Sequence, residues 1–223
     1  MVFRELDGNL NWKASKQDGD RVRAGETAAE LAGRARAILA GERTALNLLQ
    51  RMSGIATATR TYVEAVAGTK AKILDTRKTA PGLRVLDKYA VRAGGGCNHR
   101  LGLYDGVMLK DNHIAAAGGI ESAVRSVRES ISQGQKIEVE VTSMAQVEQA
   151  LRAGAEIIML DNMTPNEMEK AVQLIGGRAL VEASGGITLE NVREIASTGV
   201  DWISVGALTH SVKALDLSLE VTA

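Results

Sequence analysis

The 223 residues carry 27 Lys+Arg against 27 Asp+Glu, 45% hydrophobic side chains and only 3% aromatics. A balanced charge argues against a surface that holds nucleic acid by overall charge. The single cysteine, Cys97, excludes a disulfide framework within the chain and a Cys-only zinc site, and no run of about 18 apolar residues is present to span a membrane.

The length fits one large domain, or one domain with a small appendage, around a core of Leu, Ile, Val, Ala and Met. The opening MetValPheArgGluLeuAsp shows no apolar leader, so the expected location is cytoplasmic. Residues 1–40 hold turn signals at 7–11 and 17–20 and short segments, Arg21–Val22 and Ala35–Leu39, that suit brief strands. A long helical pattern opens at Gly41–Thr44, with Leu46, Leu49, Met52 and Ile55 at three-residue steps. Ser53–Gly54 is expected to break it, and a second helix to run to about Val66.

From residue 71 strands and helices alternate. Strands are expected at 72–75, 106–110, 137–141, 157–161, 179–183 and 202–205, and helices near 84–93, 119–130, 143–153, 165–174 and 188–198. Alternation with short Gly-containing joints means an α/β fold with a parallel sheet, and the repeat length suits a barrel. Thr164 and Thr188 suit helix N-caps, and Pro165 suits the first helical position.

Several apolar runs end in polar residues, which would gather strand carboxyl ends around one site. The first, IleLeuAspThrArgLys, ends in Asp75, Thr76, Arg77 and Lys78. Glu138 and Glu140 alternate with Ile137, Val139 and Val141, so both carboxylates share one strand face and need partners there. Asp161 ends the next run, where it would serve the site or cap the following helix. Arg77, Lys78, His99, Arg100 and Lys110 would form an anion site if they converge; any one alone suits a solvated surface. Ser184–Gly186 and Val205–Ala207 follow the last two strands, where small residues and the next helix N-terminus favour a phosphate. Cys97 reads as a small packed residue. His99 and His113 with Asp111 match no standard metal spacing. His210 suits a supporting position.

Taken together, GluArgThrAlaLeuAsn (42–47), AspThrArgLysThrAlaProGly (75–82), GlyGlyGlyCysAsnHisArgLeuGly (94–102), LysAspAsnHis (110–113), GluValGluVal (138–141), MetLeuAspAsn (159–162), SerGlyGly and SerValGlyAlaLeuThrHis resemble the quinolinate phosphoribosyltransferase family from about residue 17 onward. That resemblance implies an irregular TIM-like α/β barrel at 55–207, a partial N-terminal α/β sandwich piece with a connecting helix at 1–54, and a segment at 208–223 packing back on that piece. It implies further elements ahead of residue 1. It also implies transfer of phosphoribosyl from phosphoribosyl pyrophosphate to quinolinate, with Mg²⁺, giving nicotinate mononucleotide, carbon dioxide and pyrophosphate. The roles it implies are Thr76, Arg77, Lys78, His99, Arg100 and Lys110 on the dicarboxylate and pyrophosphate. Glu140 and Asp161 would lie at the ribose hydroxyls and the Mg²⁺–pyrophosphate group. Ser184, Gly185, Gly186, Val205, Gly206 and Ala207 would hold the 5′-phosphate, with Lys110, Glu140 and Asp161 as the catalytic set. Arg43, otherwise a solvated helix charge, would reach the partner subunit's site in a homodimer. Two alternatives stand beside it: a related pyrophosphorylase with another substrate, or a truncated non-catalytic paralogue. A lipoyl-type carrier at 17–40 would need a lysine there, and none is present.

Overall fold

The computed structural model describes residues 2–222. A short helix α1 (Val2–Leu6) precedes an antiparallel pair, β1 (Asn11–Ala14) and β2 (Ala29–Ala32). These replace the expected strands at 21–22 and 35–39. Residues 35–39 instead open α2 (Ala35–Ala65), a single 31-residue helix. Ser53–Gly54 does not break it. A Cβ on Gly54 would lie 2.2 Å from the carbonyl oxygen of Lys213, so this glycine lets the returning C-terminal backbone approach the helix. That segment is fixed by Leu215 N donating to the Gln50 carbonyl (3.0 Å) and Gln50 Nε2 donating to the Leu217 carbonyl (2.7 Å). Leu46 and Ile55 of the apolar stripe are buried, while Leu49 faces solvent.

The main body alternates as the sequence indicates: β3 (Lys72–Leu74), α3 (Arg84–Ala93), β4 (Val107–Leu109), α4 (Asp111–Ala117), α5 (Ile120–Ser130), β5 (Ile137–Val141), α6 (Met144–Arg152), β6 (Ile157–Asp161), α7 (Pro165–Ile175), β7 (Leu180–Ser184), α8 (Val192–Ser197), β8 (Trp202–Ser204) and α9 (Ala207–His210). Thr164 caps α7 in a reciprocal box with Glu167, with Pro165 at the first position. Thr188 does not cap a helix. Its N–H donates to Asn191 Oδ1, and α8 begins after Asn191.

The six parallel strands run in the order β3-β8-β7-β6-β5-β4. Parallel partners share a face, so the register Met108↔Glu138, Glu140↔Met159, Met159↔Glu182, Asp161↔Ser184, Glu182↔Trp202 and Leu74↔Ser204 defines one side. The alternate residues Ile137, Val139, Ile158, Leu160, Ala183 and Ile203 have no exposed surface and belong to the apolar core shared with the helices. The sheet is rolled. Cys97 bridges to Leu74 of β3, its near neighbour His99 touches Glu138 of β5 and Glu182 of β7, and Arg100 donates to the Gly106 carbonyl just before β4. No flat sheet lets one short loop reach all four strands. The result is an α/β barrel, open between β3 and β4 and crossed there by residues 97–100. Cys97 is exposed, not packed: its backbone N and O pair with Ile73 O and Asp75 N, which turns the thiol outward.

Candidate active site at the barrel mouth

Successive inward residues along β5 are Glu138, deep, and Glu140, nearer the carboxyl end. Lys110, one residue past β4, lies beside Glu140, and the two form an ion pair at the mouth. Asp161 ends β6 next to Ser184, the last residue of β7. Asn162 follows with φ +54°, a left-handed conformation that asparagine tolerates better than most residues. Its N–H donates to the Ser184 carbonyl (2.9 Å) and its Nδ2 to Asp161 Oδ2 (2.7 Å). Gly185, at φ +88°, has no room for a Cβ, which would lie 2.2 Å from Asn162 Oδ1. Asn162 therefore shapes the Ser184–Gly186 turn, a role that its place after the strand resembles but does not disclose. Space is open over Gly186.

On the other side, Gly206 lies against Lys78 and His210, each about 3.2 Å from where its Cβ would stand. Val205 is buried and anchored by its N–H to the Leu74 carbonyl (2.9 Å); Gly206 and Ala207 are half-buried. The expected helix N-terminus follows the second turn directly, where Gly206 caps the single-turn α9, and is absent behind the first, since α8 starts six residues after Gly186. Any phosphate here would be held by loop N–H groups and Lys78. Thr76 Oγ1 accepts from Lys78 N (3.0 Å) and so turns the Arg77–Lys78 loop.

Among the described residues, Arg77, Lys78 and Arg100 have no carboxylate within ion-pair distance. Arg100 donates to the Gly106 carbonyl (3.0 Å) and lies against Met108 Sδ. Burial lowers its pKa first, and the neighbouring Arg77 charge lowers it further. Two adjacent guanidiniums without a carboxylate are a site prepared for an anion. His113 is elsewhere engaged, its Nδ1 accepting from Lys110 N (3.0 Å). Arg43 is exposed on α2 and bonds to none of these residues.

His99 lies beneath the mouth. Its Nε2 is 3.2 Å from Glu138 and 3.4 Å from Glu182. Burial works against an imidazolium, but hydrogen bonds to and charge from both carboxylates outweigh it and push His99 up to about 10. Nδ1, however, accepts from Arg100 N (2.8 Å), which an imidazolium cannot do. That contact favours a neutral Nε2–H ring and stands against the raised value. Burial raises the Glu138 pKa; the His99 hydrogen bond opposes that rise and the Glu182 charge adds to it. The ligand atoms of the three side chains lie within 4.8 Å of one another, the spacing of a possible metal-ligand set. Glu182, with no exposed surface and only the long 3.4 Å contact to His99 Nε2 as a polar partner among the described residues, was hidden in the apolar run Leu180–Ser184.

The donors suited to a hard divalent ion are at the mouth. Glu140 and Asp161 are half-buried, on adjacent strands, and Asp161 has no cation partner among the described residues. Two carboxylates with open sides fit Mg²⁺ completed by substrate oxygens and water.

Comparisons with known proteins decide the family. Residues 1–53 match the N-terminal domain of quinolinate phosphoribosyl transferase, and residues 55–220 match its C-terminal domain. The chain belongs to the quinolinate phosphoribosyltransferase family. A probable nicotinate-nucleotide pyrophosphorylase [carboxylating] of Bacillus subtilis is 52% identical over 220 residues, covering 99% of this chain and 76% of that protein. The Mycobacterium leprae nicotinate-nucleotide pyrophosphorylase [carboxylating] is 51% identical over 208 residues, 92% of this chain and 73% of its own. The crystal structure of NadC from Streptococcus pyogenes superimposes with TM-score 0.92 at 45% identity, covering 96% of this chain and 76% of that one. The Ehrlichia chaffeensis nicotinate-nucleotide pyrophosphorylase gives TM-score 0.94 at 42% identity, with 98% and 80% coverage. Both quinolinate phosphoribosyltransferase domain families meet inside α2, which runs through residue 54 without interruption.

Proposed function

We infer that this chain transfers the phosphoribosyl group of phosphoribosyl pyrophosphate to quinolinate, with loss of carbon dioxide, to give nicotinate mononucleotide for NAD synthesis. The observation that carries the reading is Arg77, Lys78 and Arg100, three cations without carboxylate partners, at the same mouth as Glu140 and Asp161. Arg77 and Arg100 take the two carboxylates of quinolinate, for which planar guanidinium donors are suited. Thr76 shapes their loop, and His99 fixes the Arg100 backbone from below. Ser184–Gly186 and Val205–Ala207 take the 5′-phosphate, with Lys78 beside Gly206.

As the bond from the anomeric carbon to pyrophosphate breaks, positive charge builds on the ribose. Glu140 and Asp161 favour that charge and hold the ribose hydroxyls. Lys110 leaves its pair with Glu140 and turns toward the departing anion. Glu140 and Asp161 would hold Mg²⁺, which when bound would supply positive charge to the departing pyrophosphate. The quinolinate nitrogen forms the new bond and becomes cationic. The 2-carboxylate then leaves as carbon dioxide, its bonding electrons stay on the adjacent ring carbon, and a proton replaces it. No side chain need become a covalent nucleophile.

Arg43 completes the neighbouring site in a homodimer; its exposure, with no side-chain partner among the described residues, supports this. None of the helices among the described residues is long and apolar enough to cross a membrane. An exposed free thiol at Cys97 suits a reducing compartment, and the cytoplasm is the location that goes with it. The test is a base panel. Purified chain with phosphoribosyl pyrophosphate and Mg²⁺ is given quinolinate, nicotinate or nicotinamide. Turnover with quinolinate alone is expected; equal turnover of nicotinate would favour a pyrophosphorylase of other specificity.

A further inference from the structure

Arg84, the first residue of α3, makes three hydrogen bonds, none of them to a carboxylate. Its Nε donates to Thr79 Oγ1 (3.0 Å), its Nη1 to the Leu101 carbonyl (3.1 Å) and its Nη2 to the Arg77 carbonyl (3.2 Å). Thus one guanidinium holds the backbone of the loop carrying Arg77 and the backbone next to Arg100. Those loops bear two cations whose charges oppose each other; Glu138 and Asp105 offset part of that repulsion at Arg100, but neither is within ion-pair distance of it. Left alone, like charges part.

The far side of the Arg77 loop is already tied down. Asp87 accepts from Ala80 N (3.1 Å) while Arg51 grips its carboxylate with two bonds (2.9 and 2.8 Å), and Thr209 Oγ1 donates to the Lys78 carbonyl (2.9 Å). Asp75 and Lys88 hold His99 on the near side of the Arg100 loop, and Arg84 makes the link on the far side, at Leu101. A lysine could not replace it, because three acceptors on three residues match a planar fork and not a point donor. Carbonyl and hydroxyl acceptors also leave its charge uncompensated, so it adds positive potential behind the pocket.

We propose that Arg84 is a positioning residue that sets the separation of Arg77 and Arg100, and through it the preference of the site for a ligand with two adjacent carboxylates over one with a single carboxylate. This rests on the quinolinate reading above. It goes beyond it in assigning the selectivity to a side chain that does not touch the ligand.

The test uses the full chain with Arg84→Lys and Arg84→Ala. Quinolinate affinity by calorimetry, KM for each substrate and the melting temperature are compared with the unsubstituted protein. Both variants are expected to weaken quinolinate roughly 10- to 100-fold while KM for phosphoribosyl pyrophosphate moves less than about threefold. The ratio of quinolinate to nicotinate binding should fall with it, and added guanidinium ion should restore part of the loss in Arg84→Ala. Wild-type quinolinate affinity in Arg84→Lys would overturn the proposal, since charge alone would then suffice. Equal loss for both substrates with a collapsed melting temperature would overturn it too, as the mark of a purely structural residue. An unsubstituted protein that binds no quinolinate would overturn the parent reading, a result distinct from either.

Discussion

Asp75 has no exposed surface, yet it ends a strand at the site. Its Oδ1 accepts from Lys88 Nζ (2.5 Å) and His99 N (2.8 Å), and its Oδ2 from Asn98 Nδ2 (2.5 Å). Burial raises its pKa and the Lys88 contact works against that rise. In the sequence it looked like one more polar residue at a strand end. In the structure it is the post to which the 97–100 loop is fastened. Removing one member of a buried pair strands the other, so Lys88→Ala should cost about 3–5 kcal/mol. The denaturation midpoint would show it, and Lys88→Met with Asp75→Asn should recover part of the loss. The neighbouring turn has its own control. Asp105 accepts from Leu101 N (2.6 Å) and Gly102 N (2.7 Å), bonds that hold its pKa below the ordinary 3.8. A depressed carboxyl contributes stability above its unfolded value and loses it as pH falls through the folded one. Amide resonances of Leu101 and Gly102 should therefore titrate below pH 3.8 and stay unmoved at neutral pH. Glu182 was illegible for a different reason: one acidic residue in a run of apolar ones carries no periodic signal. Only register shows that it shares a face with Glu138 and Asp161.

At the level of elements, the alternating region was open to reading because caps, glycines and apolar runs agree there. Thr164, Pro165 and Glu167 start α7 as their chemistry dictates. The N-terminal third was harder. Strands of four residues around turns leave little pattern, and β1 and β2 fell where none was expected. Gly54 shows the ambiguity of glycine, which marks either a break or a close approach. Here it is a close approach, so Gly54→Ala should push Lys213 off α2. The expected cost is about 1–3 kcal/mol, with faster proteolysis at 213–217 and little change in the barrel's circular dichroism. At the site, the expected helix N-terminus stands behind the Val205–Ala207 turn but not behind Ser184–Gly186. On the proposed reading, loop amides and Lys78 would take that work at Ser184–Gly186, so the site would depend on the turn at Gly185 keeping its left-handed backbone.

For the whole molecule, the rolled sheet explains why residues from distant parts of the sequence meet. Carboxyl ends of β3 to β8 converge, and the loop at 97–100 crosses the open side with Arg100. That convergence was legible as soon as the alternation was seen; the crossing loop was not, since a one-residue bridge leaves no sequence signature. Partner contributions operate at the same scale. If Arg43 serves the neighbouring subunit, mixing Arg43→Ala with Lys110→Ala, each inactive alone, should restore about a quarter of full activity through mixed dimers. The most direct test of the account is product chemistry on the purified chain with quinolinate labelled in its 2-carboxylate, phosphoribosyl pyrophosphate and Mg²⁺. The account predicts labelled carbon dioxide, nicotinate mononucleotide and pyrophosphate in equal amounts, all abolished by Arg77→Ala. Pyrophosphate release without labelled carbon dioxide, or product formation that survives loss of Arg77, would contradict it.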